Sequence, residues 1–512
     1  PLASDPMADS MVRRAFDALG TLAFSLLAAV PLSAQASPYI PLDDPSLPLL
    51  EHLIARGDVA DPSPMVRPFR RADAARVLAE ADTAPAAASG RIIAELRRRF
   101  TDDTTETWWA VGARAGAQAY TTPRRDLLHA VGDGSADVYG ELSLQAGFGP
   151  IVAATRPAVE PRVTDDPDWP GRRNVDVAGR LLEGYLSGQF RYLRVLYGQL
   201  DHNWGPTGLP GIPLSNYGYE RQGLFFELGN RKVRLSSLAT DLRDEVDSAG
   251  RVVHRYYFVH RLAVRLSDRI DLAAWEGNIL AGADRNFETR YRNPLSFGYL
   301  ANTVGLGDRG NEILGLDATW RASRRLTLEA QLALDDFWYQ DRDLNRDRWA
   351  LTLGARGPAP LGGSWRVLYS QVSALALRAF QREENFTDAG TGLGRNFSDN
   401  DQVTVRLAVP VRTSWIFSPE LTLFRQGEGR IGDPYPVQPE LADTPALFIG
   451  TVERTWRAAL AVSGTEGPFA LTGDAGVHRV VNAGHVEGAS ETRFEARMQA
   501  TIGIGWRGEI GE

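Results

Sequence analysis

The chain has 512 residues, enough for roughly three or four soluble domains of about 150 residues each. It carries 56 basic and 64 acidic side chains and a net charge of −8, which argues against a general nucleic-acid binder, because such proteins have a basic surface and a high pI. The absence of cysteine excludes thiolate catalysis, iron–sulfur clusters and disulfide scaffolds. A mean hydropathy of −0.25 excludes a polytopic helical membrane protein.

The chain begins with the features of a secretory signal peptide. Two consecutive arginines precede an apolar stretch over residues 15–32, which ends in the small-residue sequence of residues 33–36. A basic segment, an apolar core and an A-x-A site are the parts of such a signal. We therefore expect residues 1–36 to be removed before Ser37. A single anchor helix is the alternative, but the apolar run is short for a bilayer.

Residues 37–105 show the 3.6-residue period of amphipathic helices. Apolar residues recur at this spacing around Leu50, Val77 and Ile93, and prolines separate the three groups. The apolar stripes of such short helices need a partner surface. The pattern predicts a small module of two or three helices.

From residue 106 to the end, the period of the apolar residues is two, which is typical of half-buried strands. In the last strand, Ile502, Ile504 and Trp506 lie on one face, whereas Arg497 and Gln499 lie on the other. The same alternation is found around residues 138–148, 326–334, 403–409 and 469–478. Each strand therefore has one apolar and one polar face.

The connections between the strands alternate between tight turns and long polar loops. Eight tight turns are expected, the first at Gly149-Pro150 and the last at residues 464–467. The nine long loops are expected around residues 122–135, 158–173, 201–221, 241–251, 282–310, 339–346, 379–398, 428–445 and 483–490. An even strand number with short turns at one end and long loops at the other is typical of an outer-membrane barrel. We predict an all-β transmembrane barrel of about 18 antiparallel strands over residues 106–512.

A tandem of secreted β-sandwich domains is the alternative fold. It is disfavoured by the length of the strands and by the lack of linkers between domains. In a barrel, tryptophans near strand ends, among them Trp108, Trp109 and Trp506, are expected in the aromatic girdles at the membrane surfaces.

The sequence contains little that is typical of an enzyme. Neither a nucleophile elbow nor a zincin motif is present. His254 and His260 are six residues apart on one strand, hence about 20 Å apart, too far to share a metal ion. We predict no enzyme, no metal and no cofactor. A Ser–His pair at the barrel rim stays open, because the strand neighbours are unknown from sequence.

Two further motifs have a simpler explanation. Residues 305–310 match G-x-G-x-x-G but lie in a long loop before a strand, so loop flexibility explains them better than dinucleotide binding. Residues 341–347 begin like a calcium loop, but they lack the required Gly and the later Glu. A solvated acidic loop is preferred to a bound Ca²⁺.

Arginine and aromatic residues are concentrated in the loops and on the polar strand faces, and Lys232 is the only lysine. Arginine offers planar, bidentate donors to anionic groups, and aromatic rings stack on the apolar faces of sugars. The candidate polysaccharide-binding residues are His202, Asn203, Trp204, Tyr217, Tyr219, Arg221, Arg285, Arg290, Tyr291, Arg292, Trp338, Tyr339, Arg342 and Trp349. Each is individually compatible with a girdle position or an intraprotein ion pair, but together they favour a carbohydrate-binding surface.

The chain resembles the capsule-assembly Wzi family of outer-membrane proteins. The resemblance rests on Gly198, the tract Asn203-Trp204-Gly205-Pro206 and the following Leu214-Ser215-Asn216. Further support comes from the tracts at residues 41–54, 67–71, 258–262, 293–294 and 311–336. It covers nearly the whole mature chain.

This resemblance implies an eighteen-stranded barrel with a periplasmic helical module at residues 37–105. It also implies a non-enzymatic, lectin-like protein that binds and organises capsular polysaccharide or exopolysaccharide at the cell surface. The expected partners are that polymer and outer-membrane lipid, with peptidoglycan or other export proteins as further candidates. Nucleic acid is not expected. The alternative function is an outer-membrane porin or substrate-specific channel, which uses the same barrel as a water-filled pore.

Overall fold

The computed structural model describes residues 36–81, 89–101, 107–175, 177–285, 310–336 and 347–509. Its main element is a closed barrel of eighteen antiparallel strands, in which each strand pairs with the next and the last pairs with the first. The predicted fold class is confirmed. The strands are β1 (Thr107–Tyr120), β2 (Ser135–Phe148), β3 (Ile151–Val159), β4 (Gly179–Gln189), β5 (Leu193–Gln199), β6 (Gln222–Gly229), β7 (Val233–Val246), β8 (Val252–Ser267), β9 (Ile270–Gly282), β10 (Asn311–Ser323), β11 (Leu326–Asp336), β12 (Arg348–Pro358), β13 (Ser364–Val372), β14 (Asn400–Val411), β15 (Trp415–Gln426), β16 (Glu453–Glu466), β17 (Phe469–Val481) and β18 (Ser490–Glu509).

The connections differ between the two ends of the barrel, as the sequence predicts. At the short-turn end every connection has two to five residues, whereas at the long-loop end most have eight to 28. The prediction of a long loop at residues 241–251 is largely wrong. Strands β7 and β8 continue as a ladder up to the pair Val246 and Val252, which leaves only residues 247–251 as the loop.

The two faces of the strands also follow the predicted alternation. On β18, Ile502, Ile504 and Trp506 are more than half exposed on the outer face, whereas Glu495 and Thr501 point inward and are buried. An apolar outer belt around a polar interior is the arrangement that lipid requires of a barrel.

One girdle prediction is wrong. Trp108 is 2% exposed and its ring lies under the guanidinium of Arg507, whereas its neighbour Trp109 faces outward and is 37% exposed. Successive residues of a strand point to opposite faces, so only one of two adjacent tryptophans can reach the membrane surface.

Within the described part of residues 36–101, three helices precede the barrel: α1 (Leu47–Arg56), α2 (Arg71–Glu80) and α3 (Gly90–Phe100). Helix α1 ends at Gly57, whose left-handed backbone (φ 78°) lets its N–H bond the carbonyl of Ile54. The apolar stripes of the three helices pack together, with Leu53, Leu78 and Leu96 fully buried. Among the described helices, none is long and apolar enough to cross a bilayer.

The helical module sits in the short-turn end of the barrel. Its hydrogen bonds reach residues at the ends of strands on several sides of the barrel: His52 contacts Ser364 (2.8 Å), Arg56 donates to Gly363 (2.7 Å) and Ser37 bonds Gln189 (3.0 Å). Because these contacts come from separate parts of the rim, the module covers the mouth of the lumen at this end.

A buried ion cluster joins the module to the barrel wall. Arg67, 5% exposed, pairs with Glu51 and Asp61 of the module. Asp61 also meets Arg356 of β12 at 3.5 Å. The adjacent arginines hold the pKa of Asp61 below its usual value, against the opposing effect of burial. Breaking such a buried pair leaves an uncompensated charge, which costs about 3–5 kcal/mol.

Candidate functional site

The loop between β5 and β6, residues 200–221, enters the lumen instead of projecting from the barrel. Its short strand Asn203–Trp204 pairs antiparallel with Val66–Arg67 of the helical module. A segment from the long-loop end thus meets the module inside the barrel. We call residues 200–221 the infolded loop.

The infolded loop is fixed to the wall formed by β8–β11. The side-chain amide of Gln331 donates to the Trp204 carbonyl (2.9 Å) and accepts from the Ile212 N–H (2.9 Å), and the Tyr257 hydroxyl donates to the Pro213 carbonyl (2.6 Å). Gln331 in turn donates to Asp317, which also pairs with Arg261 at 2.9 Å. These side chains replace the water that the loop's polar backbone would otherwise need.

A second long loop, residues 373–399, packs behind the infolded loop. The Ser215 N–H donates to the Leu393 carbonyl at 2.9 Å. A Cβ on Gly394 would lie 1.9 Å from the Ile212 carbonyl oxygen, so only glycine permits this approach. Arg255 of β8 holds the same loop by donating to the carbonyls of Glu383 and Asn385. Toward the long-loop end these loops therefore fill the lumen beside strands β5–β13. Between the module and the short-turn ends of β9–β12 a cavity of about 610 Å³ remains.

The opposite half of the lumen is open. A cavity of about 680 Å³ lies between the infolded loop and the wall of β1–β4 and β14–β18. It extends from module residues Asp43 and Asp44 to the loop residues Arg125 and His129 near the long-loop end. We call this cavity the lumen cleft.

Aromatic rings form one edge of the lumen cleft. His129 stacks on Phe397 with 3.8 Å between ring centroids, and Tyr217 and Phe424 meet Phe397 edge to face. All four residues line the cavity. Asp126 bonds both His129 (2.6 Å) and the Tyr217 hydroxyl (3.1 Å), so the rings are held in place. Burial of Asp126 favours a raised pKa, but the His129 side chain and the hydrogen bonds that Asp126 accepts outweigh it and lower the pKa of Asp126 to about 2.

Many charges of the lumen cleft are paired within the protein. Arg162 bonds Glu160 and Asp166, and Arg180 bonds Glu160 and Glu220. The two arginines lower the pKa of Glu160 to about 2 despite its burial. These groups form a rigid polar floor.

Three arginines of the cleft have no carboxylate partner among the described residues: Arg125, Arg395 and Arg497. Arg125 donates to the Tyr217 and Gly218 carbonyls and lies 4.1 Å from the Tyr219 ring centroid. Arg395, which is 7% exposed, donates to the Thr352 hydroxyl, and its Nε has no acceptor in the described structure. Burial lowers the pKa of Arg395 to about 10, so it stays charged at neutral pH.

Asp201, at the start of the infolded loop, also lines the cleft. Burial and the nearby Glu220 carboxylate raise the pKa of Asp201 to about 8, against the opposing effect of Arg125, Arg180 and Arg221. At neutral pH it is therefore mostly uncharged and does not neutralise the arginines.

The first group of predicted site residues lies in the packed part of the lumen. Trp204 is fully buried, and His202 and Asn203 are each 9% exposed. His202 stacks on Phe225, while Asn203 bonds Leu209 and Gly211 across the infolded loop. Burial lowers the pKa of His202 to about 4, so it is neutral. A sugar could reach these residues only if the loop moved, so their contribution in this structure is to shape the loop.

The remaining predicted residues are dispersed. Tyr217 reaches the lumen cleft; Tyr219 is buried beside it, and Arg221 donates to loop carbonyls behind it. Trp349 is on the outer face of β12, opposite the exposed Leu334, which removes it from any surface inside the lumen. Arg285 lies at the end of β9, away from the cleft lining. The other candidates, Arg290, Tyr291, Arg292, Trp338, Tyr339 and Arg342, and the suggested calcium loop at 341–346 lie outside the described residues.

Sequence reasoning missed Arg125, Arg395, Arg497 and Phe397. Arg497 is on the polar face that the alternation of β18 shows, so its inward orientation was readable. The lack of an ion-pair partner for Arg497 could not be read from the sequence, because it depends on neighbours from other strands and loops.

The fold is similar to that of Wzi from Escherichia coli, an outer-membrane protein involved in group 1 capsule assembly and a carbohydrate-binding β-barrel. The TM-score is 0.62 at 13% identity, and the match covers 91% of this chain and 99% of that chain. At this identity the similarity shows the fold alone.

Two further barrels match less well. OpdO from Pseudomonas aeruginosa matches with a TM-score of 0.45 at 10% identity, over 78% of this chain and 98% of that chain. OccAB3 from Acinetobacter baumannii matches with a TM-score of 0.43 at 8% identity, over 78% of this chain and 100% of that chain. Scores this low carry no functional argument. No family model and no curated protein matches the sequence. The chain therefore has a Wzi-like barrel fold.

Proposed function

We propose that the protein is an outer-membrane barrel that binds and organises capsular polysaccharide or exopolysaccharide at the cell surface without enzymatic turnover. In this proposal residues 1–36 are the signal peptide, the short turns and the module of residues 37–105 face the periplasm, and the long loops face outward. The apolar outer face supports membrane insertion. The sequence resemblance to the Wzi family and the similar fold support the assignment, and the carbohydrate binding described for Wzi is the function that we transfer.

The observation that carries this proposal is the division of the lumen. The module and the infolded loop meet through the pairing of Val66–Arg67 with Asn203–Trp204, which fills one half of the barrel. The lumen cleft in the other half combines aromatic rings with arginines, the side chains that recognise sugars and their anionic substituents. A partly filled barrel with such a cleft suits retention of a polymer better than its bulk passage.

Binding of native surface polysaccharide to the purified, folded barrel tests the proposal. The wild-type protein should retain the polymer on a glycan array or in a pull-down. Phe397→Ala removes a ring of the cleft edge and should weaken retention. The matched control is Phe494→Ala, because Phe494 lies 58% exposed on the outer face of β18, away from the cleft. Absence of binding by the wild-type barrel would overturn the proposal.

A substrate-specific channel is the second candidate, and one observation favours it. The lining of the lumen cleft runs from module residues Asp43 and Asp44 to the loop residue His129, which is a large part of the lumen height. Displacement of the module would extend this cleft into a passage. In that case purified protein in a planar bilayer would conduct in steady, large steps.

A further inference from the structure

The lumen cleft contains positive charge that the protein itself does not balance. Arg395 is 7% exposed and has no ion pair in the described structure; it donates to the Thr352 hydroxyl at 2.6 Å, and its Nε has no acceptor there. Arg497 likewise has no hydrogen bond or ion pair to a described residue. The like charges of Arg162 and Arg125 act on it, and Glu160, which is itself paired with Arg162 and Arg180, acts in the opposite sense. Arginine cannot release its proton at physiological pH.

Burial of an unpaired charge is unfavourable, so proteins normally pair buried charges. This protein follows the rule elsewhere in the lumen. Arg261 pairs with Asp317, and Arg356 pairs with Glu329 at 3.0 Å. Within the cleft, Arg457 pairs with both Glu420 and Asp474 at 2.7 Å. Arg125, Arg395 and Arg497 differ from these paired arginines, and all three line one cavity.

One carboxyl group of the cleft lies outside these ion pairs but forms no ion pair with the three arginines. Asp201 faces the same cavity and forms no ion pair within the described structure. Glu160 and Glu220 are already engaged by Arg162 and Arg180. A direct ion-pair partner for Arg125, Arg395 and Arg497 would therefore come from a bound molecule or from solvent ions.

We infer that the lumen cleft binds the anionic substituents of an acidic glycan, with Arg125 and Arg497 forming one anion subsite and Arg395 a separate one. The inference rests on the proposed function and specifies its substrate class. Two subsites in one cavity fit a polymer that repeats its charged group, and planar guanidinium groups suit carboxylate or sulfate oxygens. The aromatic edge formed by Tyr217, Phe397 and Phe424 supplies the stacking surface for the sugar rings between them.

Titration of the folded barrel with defined glycans tests this inference. The probes are polygalacturonate oligomers, which carry carboxylates, dextran sulfate oligomers, and neutral dextran oligomers of matched length. Wild-type protein should bind at least one acidic probe more than tenfold tighter than neutral dextran, with an affinity that falls as salt is added. The carboxylate and sulfate probes together identify which anionic group is preferred.

The variants are chosen to remove charge while keeping polarity. The double variant Arg395→Gln, Arg497→Gln should weaken binding of the acidic probe at least tenfold. Arg497→Lys keeps the charge and should retain most of the affinity. The control is the double variant Arg324→Gln, Arg325→Gln in a short turn, which makes the same change in net charge at the other end of the barrel and should leave binding unchanged. The shift in gel mobility between unheated and heated samples confirms that each variant barrel is folded.

The outcomes separate this inference from the proposed function. If the barrel binds neutral and acidic glycans equally, or if the Arg324→Gln, Arg325→Gln control weakens binding as much as the Arg395→Gln, Arg497→Gln variant, the anion subsites are wrong while polysaccharide binding stands. If the folded wild-type barrel binds no glycan, including native surface polysaccharide, both proposals fail.

Discussion

The two halves of the lumen are built from the same alternating strands but differ in what fills them. Beside β8–β11, Gln331 and Tyr257 bind loop backbone, and Arg261 is matched by Asp317. Beside β14–β18 the wall faces a cavity, and Arg497 has no ion-pair partner among the described residues. The first half is packed with loops, whereas the second leaves a cleft for which we propose a ligand, although both are polar lumen surfaces.

The largest expected contrast is between a paired and an unpaired arginine. Arg261→Met leaves Asp317 buried with a lost partner and should lower the free energy of unfolding by about 3–5 kcal/mol. Arg395→Met removes a buried charge that has no ion-pair partner, so it should raise the free energy of unfolding by about 1 kcal/mol. Denaturant unfolding followed by tryptophan fluorescence measures both. Equal losses in the two variants would show that the two halves do not differ in charge pairing.

The packed half should also be sensitive to loss of volume. Trp204 is fully buried between the module and the wall, so Trp204→Ala should lower the free energy of unfolding by about 3–5 kcal/mol. The matched control is Trp506→Ala on the outer face, where the side chain is 57% exposed and the expected loss is smaller. A Trp204 variant as stable as the control would contradict the packing described for the infolded loop.

The open half should respond to pH through Asp201. Because the pKa of Asp201 is raised to about 8, its carboxyl is neutral below that pH and negative above it. Raising the pH from 7 to 9 adds a negative charge beside Arg125 and should weaken binding of an acidic glycan several-fold, by roughly the effect of one nearby charge. Asp201→Asn should remove this dependence. The other charged groups near Asp201 are Glu220, Arg125, Arg180 and Arg221. If glycan affinity in the Asp201→Asn variant falls with pH as it does in the wild type, a group other than Asp201 causes the pH dependence.

The smallest expected effect concerns sugar stacking. Phe397→Ala should weaken glycan binding by about 3- to 10-fold, the amount that one aromatic contact of about 0.5–1.5 kcal/mol provides. Phe397→Tyr keeps the ring and should bind like the wild type. Isothermal titration with the same glycan measures both variants. Loss of affinity in the tyrosine variant as well would indicate that the ring acts through packing with His129 instead.

The wall of the barrel could be predicted from sequence because its determinants are local. The alternation around Ile502 and Ile504 gives the outer face, and a turn such as Gly149-Pro150 gives the strand order. The destination of the infolded loop could not be predicted. It depends on Gln331 and Tyr257, which are more than forty residues from their partners in the chain.

The candidate site was predictable only in its chemistry. Arginine and aromatic side chains were expected, and Tyr217 does reach the lumen cleft. Trp204 is the clearest difference: its tract carries the family resemblance, yet the ring is buried, because it packs between the module and the wall. Whether a side chain packs or faces a ligand is decided by which loops return to the lumen, and the spacing of residues does not contain that information.

Single-channel conductance of the purified, full-length barrel in a planar bilayer tests the division of the lumen most directly. The meeting of Val66–Arg67 with Asn203–Trp204 inside the barrel predicts an almost silent protein. Steady, large conductance steps from the wild-type chain would contradict this division, because the infolded loop occupies one half of the lumen and the module covers the mouth of the other half at the short-turn end.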